Sequence, residues 1–173
     1  MTPQVRIAGR EALRAFVALA EDAADWLWQR GIHQWKPGSI RAQQAELAAK
    51  LGECWLVTAF AGGNLVAGCL LTRHLPGYWS GRTARAGGGA AYLERLVVSR
   101  ASAGQGLSSS LVAAAEDLAR DARLGTLRLD CWAGNETLKA LYRGLGFRAV
   151  AEHKSDGHRI CLFEKEVRGG TPV

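Results

Sequence analysis

The sequence predicts an α/β fold of the α+β kind, with six to seven strands and about four helices. Three observations predict it. Short apolar runs of strand length alternate with longer segments whose apolar residues recur every three or four positions. Two glycine turn signals, Gly62-Gly63 and Asp156-Gly157, each join a pair of runs as a hairpin. No repeat or linker divides the chain, so residues 1–167 read as a single domain followed by a loose tail over 168–173.

The elements follow in order. Val5-Arg6-Ile7 is a short strand. Leu13, Phe16, Val17, Ala20, Ala24, Leu27 and Trp28 form one stripe of a helix over about 10–30, ended by Gly31. A loop with His33, Trp35 and Pro37 leads to a weaker helix over 40–51. Cys54 to Phe60 is almost wholly apolar, as a strand buried on both faces would be, and Leu65 to Thr72 returns from its turn. Residues 76–90 carry one Pro and five Gly and read as a long mobile loop. Ala91 to Val98 is a strand, and Gly106 to Leu124 a helix whose face is Leu107, Leu111, Val112, Ala115 and Leu118. Thr126 to Trp132 alternates Leu127, Leu129 and Cys131 with Arg128, Asp130 and Trp132. Asn135 to Leu145 is a helix with a Leu138, Leu141, Tyr142 and Leu145 stripe, closed by Gly146. Phe147 to Glu152 and Arg159 to Lys165 form the last hairpin.

Composition narrows the class. No apolar run reaches the roughly 18 residues a membrane helix needs, and no secretion signal opens the chain, so a cytoplasmic protein is expected. Cys54, Cys69, Cys131 and Cys161 are widely spaced within or beside apolar runs, which favours buried reduced thiols. The charge is +6, from 22 Lys and Arg against 16 Asp and Glu, which suits an anionic cofactor. The arginines are scattered, which argues against a nucleic-acid footprint. His74, His153 and His158 lack metal-ligand spacing, and no metal is expected.

The stretch from Ser99 to Ser108 follows a strand and opens a helix. Its glycines allow close backbone approach, and the helix start offers unpaired N–H groups, so it is either a phosphate site or a tight turn. It is not a GxxxxGK loop, and Ser109 stands where a dinucleotide fingerprint needs its third glycine. Asn135 caps the helix it starts or binds a ligand, and Tyr142 two turns later is a core aromatic or a proton donor.

These motifs resemble the GNAT N-acetyltransferase superfamily over about residues 4–166. Tyr92 to Val98 is similar to that family's central strand. Ala101-Ser102-Ala103-Gly104-Gln105-Gly106 is similar to its pyrophosphate loop, Q/R-x-x-G-x-G/A, with Ala101 in place of the leading Gln or Arg and Arg100 beside it. Asn135 to Phe147 resembles its later motif, N-x-x-[apolar]-x-x-[apolar]-Y-x-x-x-G-F. The resemblance implies a mostly antiparallel twisted sheet whose splayed central strands hold coenzyme A. Acetyl-CoA would be the co-substrate of an acyl-CoA-dependent N-acyltransferase, attacked directly by a primary amine.

The resemblance also distributes roles. Leu96, Val97 and Val98 would present backbone N–H groups to the thioester carbonyl. Ala103, Gly104, Gln105, Gly106, Leu107 and Ser108 would bind the pyrophosphate, and Asn135 the pantetheine arm. Tyr142 would protonate the leaving thiolate. Glu94 is the first candidate base and Asp130 the second, although Glu94 reads at least as well as a solvent-facing or salt-bridged strand residue. Asp130, His33 and Trp35 are candidates for the acceptor site; His33 and Trp35 could instead pack with Trp26 and Trp28. The acceptor would be a small-molecule or peptide amine, and a homodimer is compatible with the sequence. Two alternatives stay open: a CoA-binding regulatory module without transfer, and an acetyltransferase acting on aminoacyl-tRNA, motivated by the +6 charge.

Overall fold

The computed structural model describes residues 3–82, 89–155 and 157–167. Seven strands form one sheet: β1 (Gln4–Ala8), β2 (Cys54–Ala61), β3 (Asn64–Thr72), β4 (Ala90–Val98), β5 (Thr126–Trp132), β6 (Arg148–Ser155) and β7 (His158–Glu166). Their spatial order is β1-β2-β3-β4-β5-β7-β6. The β4–β5 pairing is parallel, with Ala90 opposite Thr126 and Tyr92 opposite Arg128, whereas β1–β2, β5–β7 and β6–β7 are antiparallel. The helices are α1 (Leu13–Trp28), α2 (Ser39–Ala42), α3 (Gln44–Lys50), α4 (Leu107–Asp121) and α5 (Glu136–Gly144). None is long and apolar enough to cross a membrane among the described residues.

The chain forms two compact units, Met1–Leu71 with Glu94–Ala114, and Thr72–Leu93 with Ala115–Val173. In the first, the stripe on α1 buries Leu13, Phe16, Val17, Ala20 and Ala24 against Leu56, Leu70 and Val97. Each large side chain buried here contributes about 1.5–3 kcal/mol. Gly68 on β3 makes room for this packing: a Cβ there would lie 2.9 Å from the Phe16 ring and 3.1 Å from the Val57 carbonyl. The stripe holds one charged residue, Glu21, only 4% exposed. Its carboxylate accepts the Gly38 and Arg41 amides at 2.8 and 2.6 Å, tying the α2 start to α1. The helix expected over 40–51 is broken into α2 and α3 at Gln43, whose amide is shared between the Ser39 and Ile40 carbonyls.

In the second unit, β5 pairs with β7 along its whole length, and β6 turns back into β7 at Gly157, with φ +82°. Asp156 of the expected turn lies outside the described residues. Trp79, Tyr92 and Leu162 form the centre of a core cluster with Tyr78, Val150 and Ile160 around it. Here the mobile loop expected over 76–90 needs correction for its first half. Gly77–Trp79 is a 3-10 turn and Trp79 is 1% exposed, because a large aromatic supplies burial that turn-rich composition conceals. Residues 83–88 of that loop, and 168–173 of the expected tail, lie outside the described residues. The α5 stripe also differs from expectation: only Tyr142 is buried, Leu138 and Leu145 are half-buried, and Leu141 is 36% exposed.

Candidate active site

In the first unit, β4 departs from a regular strand at Arg95. Its φ of +53° lies in the left-handed region, which costs an L-residue about 1–2 kcal/mol. Successive side chains on an extended strand leave opposite faces. The turn at Arg95 overrides this, and its Nη1 donates to Glu94 Oε2 at 3.1 Å. The other arm, Nη2, donates to Gln43 Oε1 at the α2–α3 break. Glu94 is therefore half-buried and paired with Arg95. Beyond it Val97 is buried, while Leu96 and Val98 are half-buried.

The loop after β4 is fixed by its backbone. The Ser99 amide donates to the Val66 carbonyl at 2.7 Å, and Arg100–Ser102 make a 3-10 turn closed by the Ala103 amide on Arg100. Gly104 and Gly106 have φ of +76° and +75°, and a Cβ on either would meet nothing within 4 Å. Backbone angle, not crowding, demands glycine at both positions. Ala103 to Gly106 are all exposed, Leu107 is buried and Ser108 is half-buried. The Ser110 amide bonds back to Gly106 at 3.1 Å, so the Leu107 and Ser108 amides fall in the helix's first turn, where intrahelical partners are lacking. Together with the partial positive charge of α4, this exposed turn is suited to an anion. Arg100 is committed to Asp22 on α1, Nη1 to Oδ2 2.8 Å, and Gln105 bonds back to the Ala101 carbonyl. His33 stacks on Trp28 with centroids 4.5 Å apart, the packing its loop position allowed, whereas Trp35 packs against the buried α1 cluster.

In the second unit, Asn135 is 4% exposed and its Oδ1 accepts the Leu138 amide at 3.0 Å, making it the N-cap of α5. Gly134 before it is needed for close approach, since a Cβ there would lie 2.6 Å from the Trp132 ring. Tyr142 is 5% exposed and meets Phe147 and Phe163 edge-on, with centroids 6.2 and 5.6 Å away. Asp130 accepts the Tyr78 hydroxyl at 2.8 Å. That bond ties the segment after β3 to β5.

Sequence reasoning missed the polar centre of this unit. Arg128 was expected on the polar side of the β5 alternation, and it is on that side, yet it is 2% exposed. Its Nε donates to Glu164 at 3.0 Å, and Nη1 to the Arg82 carbonyl at 3.0 Å and the Tyr92 hydroxyl at 3.3 Å. The guanidinium also lies over Trp79, 4.4 Å from the ring centroid. Glu164 takes a second arginine, Arg148, at 3.2 Å. An arginine between two leucines of an apolar strand was the available signal. An open depression of about 740 Å³ borders this region, lined by Glu116, Leu145, Arg148 and Glu164 to Glu166. Its charges are largely spent on one another, through Lys165–Glu116 and Arg148–Glu164.

The cysteines are free thiols, and Cys69, Cys131 and Cys161 are buried. Cys131 lies opposite Cys161 in the β5–β7 register. Burial, with Cys161 nearby, pushes the Cys131 thiol up to about 12; burial alone does the same for Cys69. Neither is a nucleophile at neutral pH. No cluster of His, Cys, Asp and Glu suited to a metal occurs among the described residues.

Comparison with known proteins bears on this geometry. The profile described as "Acetyltransferase (GNAT) family" matches residues 20–147. YesJ of Bacillus subtilis, an uncharacterized N-acetyltransferase, is 31% identical over 160 residues, covering 91% of this chain and 86% of YesJ. A GNAT-family acetyltransferase structure from Listeria monocytogenes is 28% identical with a TM-score of 0.71, covering 95% of this chain and 94% of its own. The PaiA N-acetyltransferase of Thermoplasma acidophilum, solved with coenzyme A, has a TM-score of 0.72 at 18% identity, covering 96% and 99% of the two chains.

Proposed function

Starting from the chain's membership of the GNAT acetyltransferase family, we propose that it transfers the acetyl group of acetyl-CoA to a primary amine by direct attack within a ternary complex. The observation that carries this reading is the exposed loop in which Gly104 and Gly106 both hold left-handed angles just ahead of α4. Backbone donors from Ala103 to Ser108 take the pyrophosphate there, without needing a side chain at Ala101. Leu96 to Val98 offer amides to the thioester carbonyl, whose oxygen gains charge as the amine attacks. Asn135 takes the pantetheine arm in addition to capping α5. Tyr142 gives its phenolic proton to the departing CoA thiolate. Glu94, directly or through water, accepts the proton that the attacking ammonium must lose. Asp130, His33 and Trp35 belong to the acceptor side, which takes a small-molecule or peptide amine.

The family places reactants rather than forming an acyl-enzyme, and placement alone can lower the barrier by roughly 7–11 kcal/mol at best. The test is calorimetric titration with CoA, followed by thiol release from acetyl-CoA across a panel of primary amines. No heat of binding at about 1 mM CoA, equivalent to roughly −4.1 kcal/mol, would sink the cofactor reading. Binding without thiol release for any amine would sink the transfer step.

A further inference from the structure

We infer that Arg95 is a positioning residue: its two-armed side chain, strung between Gln43 and Glu94, holds the left-handed turn of β4 that aims the Leu96–Val98 amides. The inference rests on the acetyl-transfer reading above and adds the element that keeps the carbonyl-binding backbone in place. Three observations carry it. Arg95 is a non-glycine residue with φ +53° inside a strand, a conformation that persists only when its surroundings impose it. Its guanidinium contacts are with Glu94 Oε2 at 3.1 Å and with Gln43 Oε1, one on the strand itself and one on the α2–α3 break. Glu94 and Arg95 could not pair across an extended strand, so pair and turn require each other. The side chains are only 18% and 30% exposed for Arg95 and Glu94, which limits competition from water.

A guanidinium is well suited to this task, because its planar fork engages two acceptors at fixed angles. Straightening β4 at Arg95 would move every amide after it, and an amide displaced by a fraction of an ångström loses its directed bond to the carbonyl.

The test reads the carbonyl itself. Isotope-edited infrared spectra of bound [1-13C]acetyl-CoA should show the thioester carbonyl at lower frequency than in free acetyl-CoA. In Arg95→Ala the band should return to the free position while CoA affinity, read by calorimetry, stays that of the wild type. Gln43→Ala leaves the strand sequence intact and should return the band part of the way; it carries the test if Arg95→Ala fails to fold. A wild-type band at the free position, or a full shift that survives in both variants, overturns the inference and leaves the transfer reading standing. Acetyl-CoA that does not bind the wild type overturns both.

Discussion

Arg128 and Glu164 face each other across β5 and β7, Nε to Oε2 3.0 Å, with side chains only 2% and 3% exposed. Arg128 is further held by the Trp79 ring, the Tyr92 hydroxyl and the Arg82 carbonyl, and Glu164 by Arg148. Removing one partner leaves a desolvated charge. Glu164→Leu should therefore lower unfolding stability by about 3–5 kcal/mol, read as a fall in the urea midpoint. The double replacement Arg128→Met with Glu164→Leu should recover most of that loss, since paired burial of ions is seldom better than good apolar packing. A double variant no more stable than the single one would show that Arg128 matters beyond its charge.

Gly106→Val places a β-branched residue at φ +75°. The strain is on the order of 1–2 kcal/mol, too little to unfold the domain. CoA binding should nevertheless disappear from calorimetry while the melting transition remains cooperative. Retained affinity would remove the loop from the phosphate site.

Tyr142→Phe keeps the ring contacts with Phe147 and Phe163 and deletes only the hydroxyl. Turnover should fall by about 10²–10⁴-fold, the usual worth of a positioned proton donor, with CoA affinity little changed. Equal losses in turnover and affinity would assign the tyrosine a packing role instead.

Gly134→Ala brings a methyl carbon to 2.6 Å from the Trp132 ring. The ring must move, so the near-ultraviolet circular dichroism should change and stability should drop by about 1–3 kcal/mol. Asn135→Ala, losing the cap on Leu138, should cost about 1 kcal/mol in thermal unfolding.

Cys69 and Cys131 hold their protons in the fold up to about pH 12, against a reference of 9.0. Between those values the unfolded chain ionises and the native one does not. Their contribution to stability is thus fully present below about pH 9 and is lost as pH rises toward 12. Urea midpoints at pH 8 and 10.5 should differ in that direction, with a smaller difference in Cys69→Ala. A thiol reagent at pH 8 should label Cys69 and Cys131 only after denaturation.

Much of the fold was legible in the sequence. Strand and helix periods placed the long elements within a few residues, because burial on one face leaves a repeat that the sequence cannot hide. The boundaries of β5, Thr126–Trp132, matched the expected run. The break at Gln43 was not legible, since a helix this short is shaped by Glu21 on another helix. Nor was the burial of Trp79, whose partners Tyr92 and Arg128 are distant in sequence.

The sequence by itself determined the family, the glycine loop and the Asn135 to Phe147 motif, because these depend on local backbone angles and helical spacing. Tertiary structure decided which side chains share an environment: that Glu94 is paired with Arg95, that Asp130 receives Tyr78, and that Arg128 is buried with Glu164. A residue's own spacing fixes its face. What covers that face is set by the return of distant segments, and desolvation by those segments gives a charge its role.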